Sequence, residues 1–306
     1  MTIAFVYNHK AFHPAVDTYT RFFSAYGIPC EAVTKDELGL VHRQVEWLFM
    51  GSDLSKPKEG IIKIHEYLSS SVPPFRVWKD FYKSFINTQP DARVFLNSFV
   101  KRSFNLHDRQ PFFYRAETFP DYWLNDAAPA VNKEYDFIYV GDLTLQRQPE
   151  LLLNCFTRDS LQRRTLLVLS REYEVLREIY SDFPNIIFKG PVERSDVKPY
   201  IEKARFGINY IPDKKPFSHQ TSTKFLEYAA CRIPIISTSY HWIQHFTQQY
   251  GGQYFFLLPD LSNFTWDNVT GFNYAFPDLT EWTASAQIRS SGILTFLESK
   301  FPEMRF

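Results

Sequence analysis

The chain has 306 residues and a mass of 36.1 kDa, with 44% hydrophobic residues, 22% charged residues and a formal net charge of zero. This composition fits a globular protein of one large or two ordinary domains. Its charge balance disfavours binding to nucleic acid through bulk positive charge, and no nucleic-acid partner is expected. The chain is rich in aromatic residues, with 30 Phe, 18 Tyr and 6 Trp, but has only 11 Gly. Glycine-rich phosphate loops are therefore disfavoured.

The cysteines and the start of the chain bear on its location. Cys30, Cys155 and Cys231 are odd in number, far apart and without a Cys-x-x-Cys pair, which favours a reducing compartment. The apolar run 3–7 is too short for a signal peptide, and no run of 18 apolar residues occurs. We expect a cytoplasmic protein, and contact with the inner face of a membrane at its periphery stays open.

Short apolar runs alternate with amphipathic stretches, which predicts parallel sheets covered by helices. In the first part of the chain, strands are predicted at 3–7, 45–50, 61–64 and 93–97, and helices at 15–26 and 75–86. In the second part, strands are predicted at 135–140, 166–169, 186–188, 206–210 and 235–237, and helices at 150–156, 172–180, 197–204 and 223–231. A final apolar pattern runs through 288–301.

A linker of small and polar residues at 125–133 places a boundary near residue 130. We expect an acceptor-side domain at 1–130, a second domain at 131–288, and a C-terminal helix at 289–306 that packs back on the first. In such α/β folds ligands collect at the carboxyl ends of the strands, here between the lobes.

Several common motifs are absent from the sequence. No GxGxxG follows either first strand, and GxxxxGK[ST], GxSxG, HExxH and EF-hand patterns do not occur. The dinucleotide, P-loop, α/β-hydrolase and zincin classes are therefore disfavoured.

The predicted helix at 223–231 carries the most chemical information. Residues 221–223 supply hydroxyl groups for its N-cap, and Pro234 forbids its continuation. Spacing places Thr223, Lys224 and Glu227 away from the apolar face, so the helix start and Lys224 suit a phosphate and Glu227 suits a ribose diol. The alternative is an ordinary surface pair between Lys224 and Glu227.

The stretches N-I-I-F-K-G-P-V (185–192), Y-I-E-K-A-R-F-G-I-N-Y-I-P (200–212) and T-K-F-L-E-Y-A-A-C-R-I-P-I-I-S-T (223–238) resemble the nucleotide-sugar lobe of GT-B glycosyltransferases, closest to family 4. The resemblance covers roughly 135–238. It implies two Rossmann-like lobes that face each other across a cleft, with the nucleotide sugar bound in the second.

The resemblance also assigns roles to residues of that lobe. Glu227 matches the glutamate that holds the nucleotide ribose. The family commonly has a second glutamate eight residues earlier, near the transferred sugar, where this chain has His219. Pro191 and Val192 would lie along the base.

A diphosphate clamp is implied after the strand 135–140. The family pattern there is approximately V-G-R-L-x-x-x-K-G, and this chain has Gly141 at the glycine, Asp142 at the arginine and Arg147 at the lysine. Arg147 is thus a candidate diphosphate ligand, and a solvated surface arginine is the alternative.

The first lobe offers acceptor-side candidates. His65 follows a predicted strand, and enzymes of the resembled class often place a histidine from this lobe near the donor sugar or phosphate; a structural, half-buried histidine is the alternative. Asn8, His9 and His13 follow the first strand and suggest an acceptor pocket. A further aromatic and basic group can pack on sugar rings or belong to the core: Tyr114, Arg115, Tyr122 and Trp123.

Together these patterns predict a glycosyltransferase that moves a sugar from a nucleotide-diphosphate sugar to a glycan or lipid-linked acceptor, in the setting of polysaccharide biosynthesis. His65 and His219 are the catalytic candidates. No convincing Asp-x-Asp pair ends a strand, so no metal or other cofactor is expected, and retention of configuration is implied by the resemblance. A nucleotide-sugar epimerase of the same fold and a non-catalytic binding relative are the alternatives.

Overall fold

The computed structural model describes residues 1–7, 14–49, 52–71, 74–104, 106, 108–125 and 132–306. The chain forms two compact units, one of residues 1–120 with 281–306 and one of residues 121–280. The predicted boundary near residue 130 falls outside the described residues, and the second division follows Thr280, ahead of the predicted 288.

The first unit begins with a strand-rich α/β segment. Its strands are β1 (Ile3–Val6), β2 (Cys30–Val33), β3 (Val45–Phe49), β4 (Ile62–Tyr67), β5 (Ala92–Phe95) and β6 (Phe112–Tyr114), and its helices are α1 (Pro14–Ser24), α2 (Arg76–Ile86) and α3 (Ser98–Ser103). All strand pairs are parallel, in the order β2-β1-β3-β4-β5-β6. The predicted parallel sheet of this unit is confirmed.

The second unit repeats the architecture. Its strands are β7 (Tyr135–Val140), β8 (Leu166–Leu169), β9 (Ile186–Lys189), β10 (Ala204–Asn209), β11 (Ile235–Thr238) and β12 (Phe255–Leu257). Its helices are α4 (Tyr122–Asn125), α5 (Pro149–Leu153), α6 (Glu174–Ile179), α7 (Arg194–Glu202), α8 (Thr223–Ala230), α9 (His241–Tyr250) and α10 (Trp266–Thr270). The parallel strands lie in the order β9-β8-β7-β10-β11-β12, which is the order of a Rossmann fold.

The chain then returns to the first unit through α11 (Ala284–Ser290) and α12 (Ile293–Lys300). Ile293 and Leu297 of α12 are fully buried in the same core as Phe5, Phe23 and Trp47. The end of the chain thus contributes to the core of the first unit.

Aromatic rings supply much of both cores. In the first unit Phe5, Tyr19 and Trp47 pack with ring centroids 4.4 to 5.8 Å apart. In the second, Phe137 packs edge-on against Phe156 at 5.3 Å. The aromatic surplus of the sequence is thus largely structural, because each such ring buries a large apolar area.

No helix in the described ranges is both long and apolar enough to cross a membrane.

Candidate functional site

The order of the second sheet creates a crevice beside β7. From β7 the chain passes to β8 on one side, and β10 later pairs with the other side of β7. In open α/β sheets ligands bind at the carboxyl ends of the strands at such a switch point. The residues that follow β7 and β10, and the start of α8, are therefore the place to look for a site.

The start of α8 is held by a buried polar network. Ser222 is the N-cap, as the sequence predicted for 221–223, and its Oγ accepts from the backbone N–H of Phe225 at 3.4 Å. The same hydroxyl donates to Oδ1 of the fully buried Asn209 at 2.7 Å. Asn209 in turn donates to Ser237 Oγ at 2.9 Å and to Tyr240 Oη at 3.0 Å. The helix start is thereby fixed to the ends of β10 and β11.

Tyr228 anchors the body of α8 on the sheet. Its hydroxyl accepts from the N–H of Val140 at 2.9 Å, one residue before Gly141. A Cβ at Gly207 would lie 2.5 Å from the Tyr228 ring, so only glycine admits this close approach of α8 to β10.

Lys224 lies against the turn that follows β7. Its Nζ would be 3.2 Å from a Cβ at Gly141, whose φ of +140° already favours glycine, and it sits 4.1 Å from the centroid of the Tyr139 ring. Burial lowers the pKa of Lys224 well below its usual range, and the nearby Arg147 lowers it further, while Asp142 and Glu227 act in the opposite direction. A bound anion would raise this pKa and favour the protonated ammonium.

Arg147 approaches the same place from the 3₁₀ turn Leu145–Arg147. Its guanidinium lies over the ring of Phe217, 4.4 Å from the centroid. Its Nε is buried and finds no hydrogen-bond acceptor among the described residues. Two neighbouring basic side chains, one with an unsatisfied buried donor, lie beside a capped helix start, and this arrangement suits an anion.

Asp142 holds the turn itself. Its carboxylate accepts from the N–H of Thr144 at 2.8 Å and from the Thr144 hydroxyl at 3.2 Å. Asp142 stands where the family pattern has an arginine. In this chain it therefore shapes the loop that leads to Arg147.

Glu227 departs from the prediction in its surroundings. It is only 2% exposed, and its Oε1 contacts the guanidinium of Arg194 at the start of α7. The expectation that Glu227 faces away from the core is wrong, because α8 is buried on every side from Phe225 to Ala230. The alternative of a surface pair with Lys224 is wrong for the same reason.

The sequence analysis missed Arg194. It follows the turn at 190–193, and its guanidinium also lies 5.3 Å from the centroid of the Trp123 ring. No local pattern connects it with Glu227, which is 33 residues away in sequence. A charged residue at the first position of a helix that follows a strand end was the only available signal.

His219 lies in the 3₁₀ turn Phe217–His219 that precedes α8. Its Nδ1 is 3.1 Å from Ser218 Oγ, and its ring stacks on that of His241 with centroids 3.9 Å apart. Partial burial lowers the pKa of His219, and His241 contributes in the same direction. Across the described ranges, no group of three or more His, Cys, Asp and Glu side chains is arranged to hold a metal ion. The catalytic role of His219 stays a prediction.

The base-side candidates follow β9. Pro191 is exposed and Val192 is half-buried. The preceding Gly190 is covered by the ring of Tyr173, since a Cβ there would lie 3.0 Å from it. Thr223, the first residue of α8, is half-buried. The roles of these residues stay predictions.

His65 lies inside β4 and is fully buried. The prediction that it stands at a strand end is wrong, because β4 continues to Tyr67. Its Nε2 is 3.0 Å from Asp53 Oδ2, which also receives the Lys63 ammonium at 3.0 Å. Its Nδ1 is buried without a partner among the described residues. The catalytic role of His65 stays a prediction.

The remaining candidates divide between core and surface. Arg115 is 1% exposed, and its Nε and Nη2 donate to Glu66 Oε1 at 3.0 and 2.6 Å. Trp123 is also buried, whereas Tyr114 and Tyr122 are 42% and 44% exposed. A sugar contact by Arg115 or Trp123 is not supported, because both side chains are buried. Asn8, His9 and His13 lie outside the described residues.

Neither a protein-family model nor a curated protein sequence matches the chain. Solved structures do match it. A glycosyltransferase from Rickettsia africae ESF-5 is 11% identical over 99% of each chain, with a TM-score of 0.62. Anabaena HepE, solved with UDP and glucose, is 10% identical over 97% of this chain and 95% of its own, with a TM-score of 0.59. AviGT4, a glycosyltransferase of avilamycin A biosynthesis, is 12% identical over 98% and 96%, with a TM-score of 0.57.

These likenesses cover nearly the whole chain. Together with the two parallel sheets they define a GT-B fold with two Rossmann-like units, and the predicted fold class is confirmed.

Proposed function

We propose that the protein is a glycosyltransferase that moves a sugar from a nucleoside diphosphate sugar to a glycan or lipid-linked acceptor. The observation that carries this proposal is the pair of cations at the switch point of the second sheet. Lys224 and Arg147 lie beside the capped start of α8, and the Nε of Arg147 is a buried donor with no acceptor among the described residues. A diphosphate supplies the acceptor and the negative charge that this place lacks.

The proposed donor carries uracil as its base. HepE, which shares the fold, was solved in complex with UDP. In this chain the loop at 190–193 would border the base, with the Tyr173 ring packed on Gly190 beneath it. Glu227 would accept the ribose hydroxyls with the carboxylate oxygen that Arg194 does not contact.

The proposed chemistry needs a good leaving group. As the bond between sugar and diphosphate breaks, negative charge grows on the phosphate oxygen, and fixed positive groups stabilise that charge without reorganisation. Lys224, Arg147 and the N–H groups at the start of α8 would do this without a metal ion. We propose retention of anomeric configuration, as the resemblance of 223–238 implies, with His219 beside the transferred sugar.

A donor screen tests the reaction. The full chain is incubated with UDP-, GDP-, dTDP- and CMP-sugars without acceptor, and products are followed by chromatography and NMR. We expect slow release of UDP and free sugar from one or two donors, unaffected by a chelator. An epimerised donor with no released UDP would establish the epimerase alternative, and binding without any turnover would establish the non-catalytic one.

The anion site is tested with matched arginine variants. Arg147→Ala should weaken UDP binding about tenfold, equivalent to about 1.4 kcal/mol. Arg158→Ala is the control, because the Arg158 side chain is 69% exposed and pairs only loosely with Asp159 at 3.9 Å. Equal affinities of the two variants in calorimetry would exclude Arg147 from the site.

A further inference from the structure

Helix α2 is exposed on its apolar side. Of its 11 residues, Asp80 alone is buried, and its Oδ1 accepts from the N–H of Ser71 at 2.9 Å. The large apolar side chains face solvent, and the most exposed of them are Trp78 at 72% and Phe85 at 84%. This is the reverse of a surface helix in a globular domain, which buries its apolar stripe.

The exposed side chains form one continuous surface, here called the aromatic face of α2. At 100° per residue they lie within an arc of about 140°. Its members are Val77, Trp78, Phe81, Tyr82 and Phe85, and Phe75 precedes them at the N-cap. An apolar patch of this kind on a protein surface marks an interaction site.

Positive charge accompanies the aromatic face. Arg76 and Lys83 lie on the opposite side of the helix, where Arg76 is 4.0 Å from the buried Asp80. Lys79 is therefore the basic residue of α2 that borders the face. Lys79 is exposed at the edge of the face, next to Tyr82 on the helix wheel. Arg102 of α3, which packs against α2, is exposed as well. The exposed charges of this region therefore complement an anionic partner.

The chemistry of the face favours a lipid surface as that partner. Trp and Tyr have an apolar body and a polar tip, which suits the headgroup level of a bilayer, and Phe reaches the acyl chains below it. Lysine and arginine at the edge of such a helix are attracted by anionic headgroups.

We propose that the aromatic face of α2 docks the protein on an anionic phospholipid bilayer, with the helix lying in the plane of the interface. This inference does not depend on the transfer reaction, since it concerns a surface of the first unit and is tested by membrane binding. It places the protein where a lipid-linked acceptor is presented.

Vesicle flotation of the full chain tests the proposal. We expect binding to vesicles with about 30% phosphatidylglycerol and little binding to pure phosphatidylcholine. Trp78→Ser with Phe85→Ser should lower the bound fraction about tenfold, and Lys79→Glu should lower it several-fold. The matched control is Val175→Ser with Ile179→Ser on α6, whose side chains are 71% and 60% exposed.

A spectroscopic readout reports the insertion itself. Lipids brominated along the acyl chain should quench part of the tryptophan fluorescence of the wild-type protein. The Trp78→Phe variant should show no such quenching. Circular dichroism and UDP binding of each variant verify that the fold is kept.

Three outcomes would overturn the proposal. The wild-type protein could fail to float with anionic vesicles, the α6 control could lose as much binding as the α2 variant, or quenching could persist in Trp78→Phe. A dimer in light scattering that is lost in the α2 variant, with no vesicle binding, would instead make a second copy of the chain the occupant of this face.

Discussion

The guanidinium of Arg194, at the start of α7, contacts Oε1 of Glu227, a carboxylate that is only 2% exposed. Burial of a charged side chain is costly unless a group of opposite charge pairs with it, and Arg194 is that partner for Glu227. The contact also joins the turn at 190–193, which leads into Arg194, to the middle of α8. The ion pair thus connects the segment proposed to border the base with the side chain proposed to bind the ribose.

Removing the Glu227 carboxylate should affect both binding and folding. Glu227→Ala is expected to weaken UDP binding at least tenfold, about 1.4 kcal/mol, because the ribose loses its acceptor. It should also lower the free energy of unfolding by about 2 kcal/mol, since Arg194 loses its charged partner. Calorimetry and urea denaturation measure the two effects.

Arg194→Ala is the companion variant. It should destabilise the fold by about 3 kcal/mol, because an uncompensated carboxylate remains buried. The double variant should lose less stability than the two single losses combined. Unchanged affinity of Glu227→Ala for every nucleoside diphosphate would exclude the ribose role.

The depressed pKa of Lys224 predicts how UDP binding changes with pH. Burial and the neighbouring Arg147 lower this pKa in the free protein, and a bound diphosphate should raise it again. UDP affinity should therefore be constant below the lowered pKa and fall as pH rises above it, with proton uptake on binding. Calorimetry in buffers of different ionisation enthalpy measures that uptake.

Lys224→Arg separates charge from titration. An arginine stays protonated throughout, so its UDP affinity should not change over the same pH range. Two results would contradict the assignment of Lys224 to the anion site. The UDP affinity of the wild-type protein could be independent of pH, or the affinity of Lys224→Arg could fall with rising pH as the wild-type affinity does.

The lowered pKa of His65 predicts that the folded protein loses stability in acid. Burial lowers its pKa in the folded protein, although Asp53 opposes the shift, while the unfolded chain titrates near the ordinary value of about 6.5. Below that pH the unfolded state binds more protons, so the free energy of unfolding should decrease as pH falls toward the folded pKa. Urea denaturation at a series of pH values measures the slope.

His65→Gln keeps a donor for Asp53 and removes the titration, so its slope should be smaller. If the free energy of unfolding of the variant depends on pH as steeply as that of the wild-type protein, other groups cause the loss of stability in acid. Turnover of this variant also tests the predicted catalytic role of His65, since wild-type rates would make it a structural residue.

Gly207→Ala should destabilise the second unit. Its Cβ would lie 2.5 Å from the Tyr228 ring, and β10 and α8 must separate to admit it. Overpacking of this kind costs about 1–3 kcal/mol. Gly39→Ala is the control, because nothing lies within 4 Å of a Cβ there. Equal free energies of unfolding in the two variants would show that α8 moves without cost.

The residue pattern alone was enough to predict much of the fold. Apolar runs bounded by turn residues located the inner strands of both sheets, and hydroxyls before an apolar-periodic stretch located the start of α8, because these signals are local. The strands β2, β6 and β12 were missed, and all three lie at sheet edges. β2 contains Glu31 and is largely exposed, and β6 and β12 are apolar but span only three residues each, which is below the most common length of a strand.

Only the tertiary structure decided which charged side chains are buried and with what. Helical spacing put Glu227 on an open face, but in the structure its carboxylate is buried and pairs with Arg194 of α7. The sequence pattern ended the strand before His65, because the charged Glu66 follows it. In the structure β4 continues to Tyr67, and Glu66 is buried as the partner of Arg115, which is 49 residues later in the chain. Periodicity records which residues are apolar, whereas burial of a charge depends on a partner brought in from elsewhere in the chain.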